Sequence, residues 1–332
     1  MRTPTAAVDE AELLAVLRER WLLDVYAVAY APVGFGSKHW MATGRDGQRW
    51  FVTADALAPA GSATFTDLDA ALHTAAALHD RGLAAVVAPL RTGGGAALER
   101  IGTHHAVAVY PYVTGHAGSF GDPVSDNDRA DVLDLLARLH TTAVPACPTV
   151  RTDALRVDRR KALDAALADL DRPWHSGPHA EPVRAALRRD QAALRHALAT
   201  YDAEAQVLRA ASTASRVATH GEPHPGNLIR TENGLRLVDW DTVLVAPPER
   251  DLWLLARDGM SDEQVAAEYT ARTGRRADPR GMRLQRRRWA LADVAIFTDD
   301  VRHPHADDAE IAESVDYLLR SLAWLTTDGL AT

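Results

Sequence analysis

Residues 217–241 read VATHGEPHPGNLIRTENGLRLVDWD. Two short apolar runs, Asn227–Arg230 and Leu235–Val238, flank Thr231–Gly234, a turn of the hairpin kind. His220, Glu222 and Asn227 precede the hairpin, and Asp239 and Asp241 follow it. Folding it therefore gathers Glu222, Asn227, Asp239 and Asp241 at one end. Hard oxygen donors of this kind suit Mg²⁺, which takes one or two carboxylates together with substrate phosphates. A carboxylate five residues before the amide can lie beside such a cation and accept a proton from a hydroxyl. A single Asp or Asn in a loop usually caps the chain; four donors on both sides of one hairpin point to chemistry.

Around this island the pattern is helical. Helices are expected at Ser125–His140, with Ser125 or Asp126 as N-cap, and at 152–170, 181–200, 261–273, 279–299 and 307–326. Arg172–Pro178 is a breaker between the second and third. Upstream the period shortens. Val25–Ala31, Trp40–Thr43 and Arg49–Thr53 read as antiparallel strands, with PVGFGSKHW as a glycine loop after the first and Arg45–Gly47 as a hairpin turn after the second. Residues 9–20 read as an amphipathic helix and Asp67–Arg81 as another, closed by Gly82. The apolar runs Ala84–Leu90 and Ala106–Tyr112 would extend the sheet. The fold class is thus α+β in two lobes: a strand-rich lobe over 1–112 and a mostly helical lobe over 113–332, joined by the glycine- and proline-rich stretch Pro111–Pro123.

Composition narrows the function. The 332 residues carry 37 basic and 45 acidic side chains, net -8, which argues against a nucleic-acid binder and is compatible with a cationic substrate. The single cysteine, Cys147, excludes an internal disulfide and a cysteine-based zinc site. Asp9, Glu10 and Glu12 stand where a signal peptide would be apolar, and Leu83–Leu90 is far too short to span a bilayer, so a cytoplasmic protein without a membrane partner is expected, as monomer or dimer. His220-Gly-Glu222 matches half of a zinc deaminase signature, but the cysteine pair that completes it is missing. His104-His105 and His303-Pro-His305 are more economically read as surface loops than as metal ligands.

The sequence His220-x-Glu222-x-x-x-x-Asn227, followed by Asp239 twelve residues later, resembles the catalytic loop and metal-binding aspartate of the aminoglycoside phosphotransferase family. Ala246-Pro-Pro-Glu-Arg-Asp251-Leu-Trp resembles a further loop of that family. The resemblance implies a protein-kinase-like fold with the nucleotide-binding lobe at 1–112, a hinge at 110–113, and the catalytic loop and acceptor site in 113–332. It implies ATP or GTP as phosphoryl donor and Mg²⁺ held by Asn227 and Asp239. Glu222 would be the catalytic base beside His220, and Asp251 a structural anchor. Nucleotide contacts would come from the loop Gly34, Phe35, Gly36, Ser37 and Lys38, and from Tyr110, Tyr112 and Val113. The chain length and the GFGSKHW loop resemble the spectinomycin-type branch of antibiotic kinases. The family also contains choline and homoserine kinases.

Three positions depart from the family's pattern. The base is usually Asp, and Glu222 is longer by one methylene. The third strand usually carries a lysine for the phosphates, and Thr53 stands there. The helix 67–81 lacks the glutamate that would pair with such a lysine, which is self-consistent, since a lone buried glutamate would be unpaired. The chain has two lysines, Lys38 and Lys161, and Lys38 lies in the glycine loop within reach of the phosphates. These departures leave a second reading open, a nucleotide-binding pseudokinase with little turnover. For the acceptor, Trp289, Asp293, Phe297 and Asp300 fall on one stripe of the helix near 283–300, with Asp299 beside it. Carboxylates next to aromatic faces suit a cationic hydroxyl compound such as an amino-sugar or aminocyclitol, while an alternative is that Trp289 and Phe297 are core and the aspartates solvated.

Overall fold

The computed structural model describes residues 8–33, 37–57, 63–143, 150–210, 216–256, 259–306 and 309–327. Gly34, Phe35 and Gly36 of the glycine loop, and Cys147, lie outside the described residues. Helix α1 (Glu10–Arg20) opens the chain, with Asp9 as N-cap accepting from the Ala11 amide at 2.8 Å. Strands β1 (Val25–Ala31), β2 (Lys38–Gly44) and β3 (Arg49–Ala56) follow, then α2 (Ala63–Asp80), β4 (Glu99–Ile101) and β5 (His105–Pro111). They form one antiparallel sheet in the order β1-β2-β3-β5-β4.

Strand parity divides this sheet into two faces, because successive side chains point to opposite sides. Trp40, Ala42, Trp50, Val52, Ala54, Val107 and Val109 pack with Leu13 and Leu17 of α1. Ala106, Ala108 and Tyr110 pack on the other face with Leu68 and Leu72 of α2, and Phe51, Val113 and Val238 join them. Val238 immediately precedes Asp239, so this second face is the one next to the island.

The run Ala84–Leu90 is not the strand that its composition suggests. It is extended chain that bridges two partners: the Val87 amide donates to Leu237 at 3.0 Å, and the Leu90 amide to Val109 at 2.7 Å. The sheet's additional edge is β4 instead. A short buried apolar run satisfies its backbone equally well in either arrangement, and periodicity cannot separate them.

Strand β6 (His116–Ala117) lies inside the stretch expected as hinge, and α3 (Asp126–Thr141) follows with Ser125 as N-cap. The expected helix 152–170 is shorter: α4 spans Arg160–Ala168, because Leu155 and Arg159 take positive φ of 51° and 53° and Thr152 bridges to Val245. The expected helix 181–200 is two, α5 (Ala180–Arg189) and α6 (Gln191–Ala210), interrupted at Asp190 without proline or glycine. The island contains β7 (Val217–Thr219), the hairpin β8 (Leu228–Thr231) and β9 (Gly234–Leu237), β10 (Leu244–Ala246), and α7 (Glu249–Leu252). Helices α8 (Asp262–Thr273), α9 (Pro279–Arg302) and α10 (Ala309–Thr327) complete the chain. Among the described residues no helix is long and apolar enough to cross a membrane.

The chain divides into two compact units. One takes residues 5–152 and 215–277, so the sheet and the island belong together; the other takes 153–214 and 278–332. In the second unit α9 packs on α10 around Leu291, Val294, Ala295, Leu318 and Leu322. Asp293 is half-buried at that seam, where its carboxylate accepts from the Ser321 hydroxyl at 2.8 Å and hydrogen-bonds Trp289. Burial pushes the carboxyl up to about 7, against these two hydrogen bonds. The unfolded chain gives up that proton near the ordinary value of about 4. The group's stabilisation is therefore full below pH ~4 and is lost as pH rises through about 7. Asp293→Asn is expected to gain stability over the parent between pH 5 and pH 8, by about 1–3 kcal/mol in urea unfolding. A difference that stays flat across that range would show that Asp293 titrates normally.

Candidate functional site

The island is held in shape by one carboxylate. Asp251, on α7, is fully buried and accepts from the backbone amides of His220 at 2.9 Å and Gly221 at 2.5 Å. It also meets His140 Nε2 of α3 at 2.9 Å, and His140 Nδ1 meets the Tyr269 hydroxyl of α8 at 3.1 Å. Burial pushes the Asp251 carboxyl up, but the His140 hydrogen bond, with Arg250 and His220 nearby, outweighs it and holds the group below the usual carboxylate range. Gly221 has φ +105°, and a Cβ there would collide with the Arg250 guanidinium, so glycine is required twice over. Arg250 in turn donates to Thr219 Oγ1 at 2.9 Å and to the Thr242 carbonyl at 2.8 Å.

His220 joins the two halves of the island. Its Nδ1 accepts from the Glu222 amide at 3.1 Å, so Nε2 carries the proton it donates to the Val238 carbonyl at 2.8 Å. Burial lowers its pKa, against Asp251 and Asp239, and the ring is neutral. Both nitrogens being occupied by backbone, His220 positions its neighbours. The Trp240 ring closes on it edge-on at 4.7 Å.

Asn227 ends a single 3-10 turn, Pro225–Asn227. Its Nδ2 donates to the Glu222 carbonyl at 3.0 Å, which commits the amide's donor end to the loop and leaves Oδ1 as the acceptor for a cation. The Val238 amide donates to the Asn227 carbonyl at 3.0 Å, one step beyond the Leu228–Leu237 pair of the hairpin. Asn227 and Asp239 are thus set side by side at the hairpin's base, as the spacing predicts. Asp239 has φ +66°, a left-handed conformation that Asp tolerates better than most residues and that recurs at functional sites.

Asp241, half-buried, lies two residues on. Burial raises its carboxyl well above the usual range, and the charges of Asp239, Glu222 and Asp55 add to the rise. The charges of Asp239, Glu222 and Asp55 thus all act on Asp241, and negative charge gathered in this way is favourable to a cation. The donor set fits a hard divalent ion. Among the described residues no group of three or more His, Cys, Asp or Glu side chains is arranged to hold a metal unaided.

The sheet face above the island adds what the sequence did not single out. Asp55 is on it, accepting from the Ser37 hydroxyl; burial raises its carboxyl, Ser37 opposes this and Asp239 adds to it. Thr53 hydrogen-bonds the Tyr110 hydroxyl, whose pKa burial raises far. Directly across from Thr53 in the β2–β3 register is His39. Its ring stacks on Phe51 at 5.1 Å, and burial lowers its pKa against the Val33 backbone and Asp239. Its Nδ1 is closed off from water and has no hydrogen-bond partner among the described residues, which costs about 1–3 kcal/mol. Lys38 pairs with Ala54, so its side chain leaves the sheet on the α1 side, and the structure does not bring it together with Thr53. The signal for His39 was strand parity, legible only once the register is known.

At the hinge, the Tyr112 amide donates to the Arg49 carbonyl at 3.3 Å, and the Arg49 guanidinium covers the Tyr112 ring at 3.9 Å. Val113 packs with the second sheet face. The acceptor candidates Trp289, Asp293, Asp299 and Asp300 all lie on α9, in the other unit. Asp293 is bound to Ser321, Asp299 pairs with Arg159 at 3.1 Å, and Phe297 is core. His305 stacks on His179 at 5.9 Å.

Residues 31–284 match the model of the phosphotransferase enzyme family, APH. Protein StrN of Streptomyces griseus is 30% identical over 243 residues, 70% of this chain and 70% of that one. The fold is similar to that of the spectinomycin phosphotransferase APH(9)-Ia in complex with ADP and spectinomycin, with a TM-score of 0.75 at 15% identity over 97% of this chain and 98% of that one. It is also similar to the amicoumacin kinase hAmiN in complex with AMP-PNP, Ca²⁺ and Ami, with a TM-score of 0.62 at 13% identity over 96% and 94%.

The dependence of the loop on Asp251 is directly measurable. Asp251→Ala leaves two buried amides and His140 without their acceptor, and is expected to cost about 3–5 kcal/mol in urea unfolding. A loss below about 0.5 kcal/mol would show that the loop is held by something else.

Proposed function

The chain belongs to the phosphotransferase enzyme family, and from that premise we propose that it moves the γ-phosphoryl group of ATP, or of GTP, to a hydroxyl of a cationic small molecule, an aminoglycoside or aminocyclitol antibiotic. That it is a small-molecule phosphotransferase follows from the family. The observation that supports the transfer chemistry is the position of Asn227 and Asp239 at one hairpin base, five and seventeen residues after Glu222. The similarity to a spectinomycin phosphotransferase and to an amicoumacin kinase supports an antibiotic acceptor.

Phosphoryl transfer asks for positioning and charge neutralisation more than for covalent chemistry. Asn227 Oδ1 and the Asp239 carboxylate would hold Mg²⁺, which supplies charge neutralisation at the phosphate oxygens when bound. The base of the nucleotide would lie against Tyr110, Tyr112 and Val113, with the hinge backbone reading its edge. Ser37 and the loop residues Gly34, Phe35 and Gly36 would border its phosphates. Glu222 would accept the proton of the attacking hydroxyl as the phosphoryl group departs, held in place by its own amide's bond to His220.

A screen of aminoglycosides, aminocyclitols, macrolides and small amino alcohols with labelled ATP tests the acceptor. Transfer to amine-bearing antibiotics is expected; a neutral macrolide turned over far better than every amine would refute the cationic assignment. Asp239→Ala is expected to abolish transfer together with the Mg²⁺ dependence of nucleotide binding, and undiminished turnover would rule out the metal assignment.

Glu222→Gln is expected to lower kcat by about 10²–10⁴-fold with little change in the KM for ATP. Glu222→Asp is expected to lose activity as well, because placement errors of about 1 Å cost roughly 10²-fold. A gain in Glu222→Asp would instead mark a chain that has drifted from catalysis.

A further inference from the structure

The rows of side chains on the sheet face above Asp239 run outward from the hinge. Phe51 and Tyr110 form one row, His39, Thr53 and Ala108 the next, and Asp55 and Ala106 the one beyond. Neighbouring rows are two residues apart, roughly 7 Å along the strands. A nucleotide with its base at Tyr110 and its phosphates tied through a cation to Asp239 must therefore extend beneath the His39 row.

The chemistry of that row is lopsided. Thr53 carries no charge and its hydroxyl is engaged by Tyr110. The neighbouring acid, Asp55, repels phosphate, as do Asp239 and Asp241 from below. Of Met41, Phe51, Thr53, Asp55, Ala108 and His39, only His39 can present a ring N–H to an anion. Its ring is already oriented by the stack on Phe51, and its Nδ1 lacks any partner among the described residues. A buried polar nitrogen left unmatched by the protein is an invitation to a ligand.

We propose that His39 is a nucleotide-binding residue, contacting the polyphosphate of the donor through its imidazole from the strand position opposite Thr53. The proposal rests on the phosphotransferase reading above. It assigns to β2 the phosphate contact that Thr53 of β3 does not supply, and it gives the role to His39, not to its neighbour Lys38.

The test is equilibrium binding of ATP and of adenosine, each with and without Mg²⁺, to the full chain and its variants. His39→Ala is expected to weaken ATP by about 10- to 100-fold, the range for a hydrogen bond to a charged group, while adenosine changes less than about twofold. Thr53→Lys added to His39→Ala is expected to restore most of the ATP affinity, since it places a cation on the same row. Adenosine binding reports that the pocket is folded. If His39→Ala loses both ligands, His39→Leu, which keeps bulk but removes the ring nitrogens, decides: retained adenosine with weakened ATP supports the proposal, and equal loss of both overturns it in favour of a packing role. Unchanged ATP binding in His39→Ala, or a loss of ATP affinity in Lys38→Ala alone, overturns it too. Wild-type protein that binds no ATP would overturn the phosphotransferase reading itself, a result distinct from ATP binding that is indifferent to His39.

Discussion

A buried carboxylate that must be satisfied governs the geometry of the island. Asp251 has no water to solvate it, so it draws its hydrogen bonds from the chain: the amides of His220 and Gly221 and the imidazole of His140. Those bonds fix the direction in which the catalytic loop leaves β7. They also explain why the loop tolerates a glycine with φ +105° packed against the Arg250 guanidinium. From that start, His220 is turned so that one nitrogen accepts from Glu222 and the other donates to Val238. The loop and the segment that carries Asp239 are thereby locked to one another before any ligand arrives. Preorganisation of this kind is what phosphoryl transfer requires, since a misplacement of about 1 Å is costly.

The electrostatic cost of the site is the counterpart of that order. Asp239, Asp241, Glu222 and Asp55 influence one another, and burial drives the Asp241 and Asp55 carboxyls upward. The arrangement is stable in the sense that the rest of the fold holds it there. Asp239 at φ +66° belongs to the same pattern of local strain kept where chemistry is done.

Parity along the strands settles a question that residue types leave open. Lys38 and His39 are adjacent, yet an extended chain sends their side chains to opposite faces. Lys38 joins the face that packs on α1, where Trp40 and Val52 lie, while His39 joins Thr53, Phe51 and Tyr110 above the island. A cation that looks well placed by its position in a glycine loop is therefore less well placed than the histidine beside it.

The sequence alone determined the hairpin, the antiparallel strands β1, β2, β3 and β5, and the helices α1, α2, α3, α8, α9 and α10 to within a few residues. Each of these rests on a local signal: a two-fold or 3.6-fold period, a cap such as Ser125, or a turn residue such as Gly82. Only the tertiary structure decided where Ala84–Leu90 finds its hydrogen bonds, that Leu155 and Arg159 turn left-handed and shorten α4, and that the chain breaks at Asp190. Only the tertiary structure placed Asp293 in a buried seam against Ser321, and His39 opposite Thr53. Those outcomes depend on which partner a backbone amide or a side chain meets across more than a dozen residues of chain. A local period carries no information about that partner, because packing and register are fixed by the burial of surfaces from distant segments.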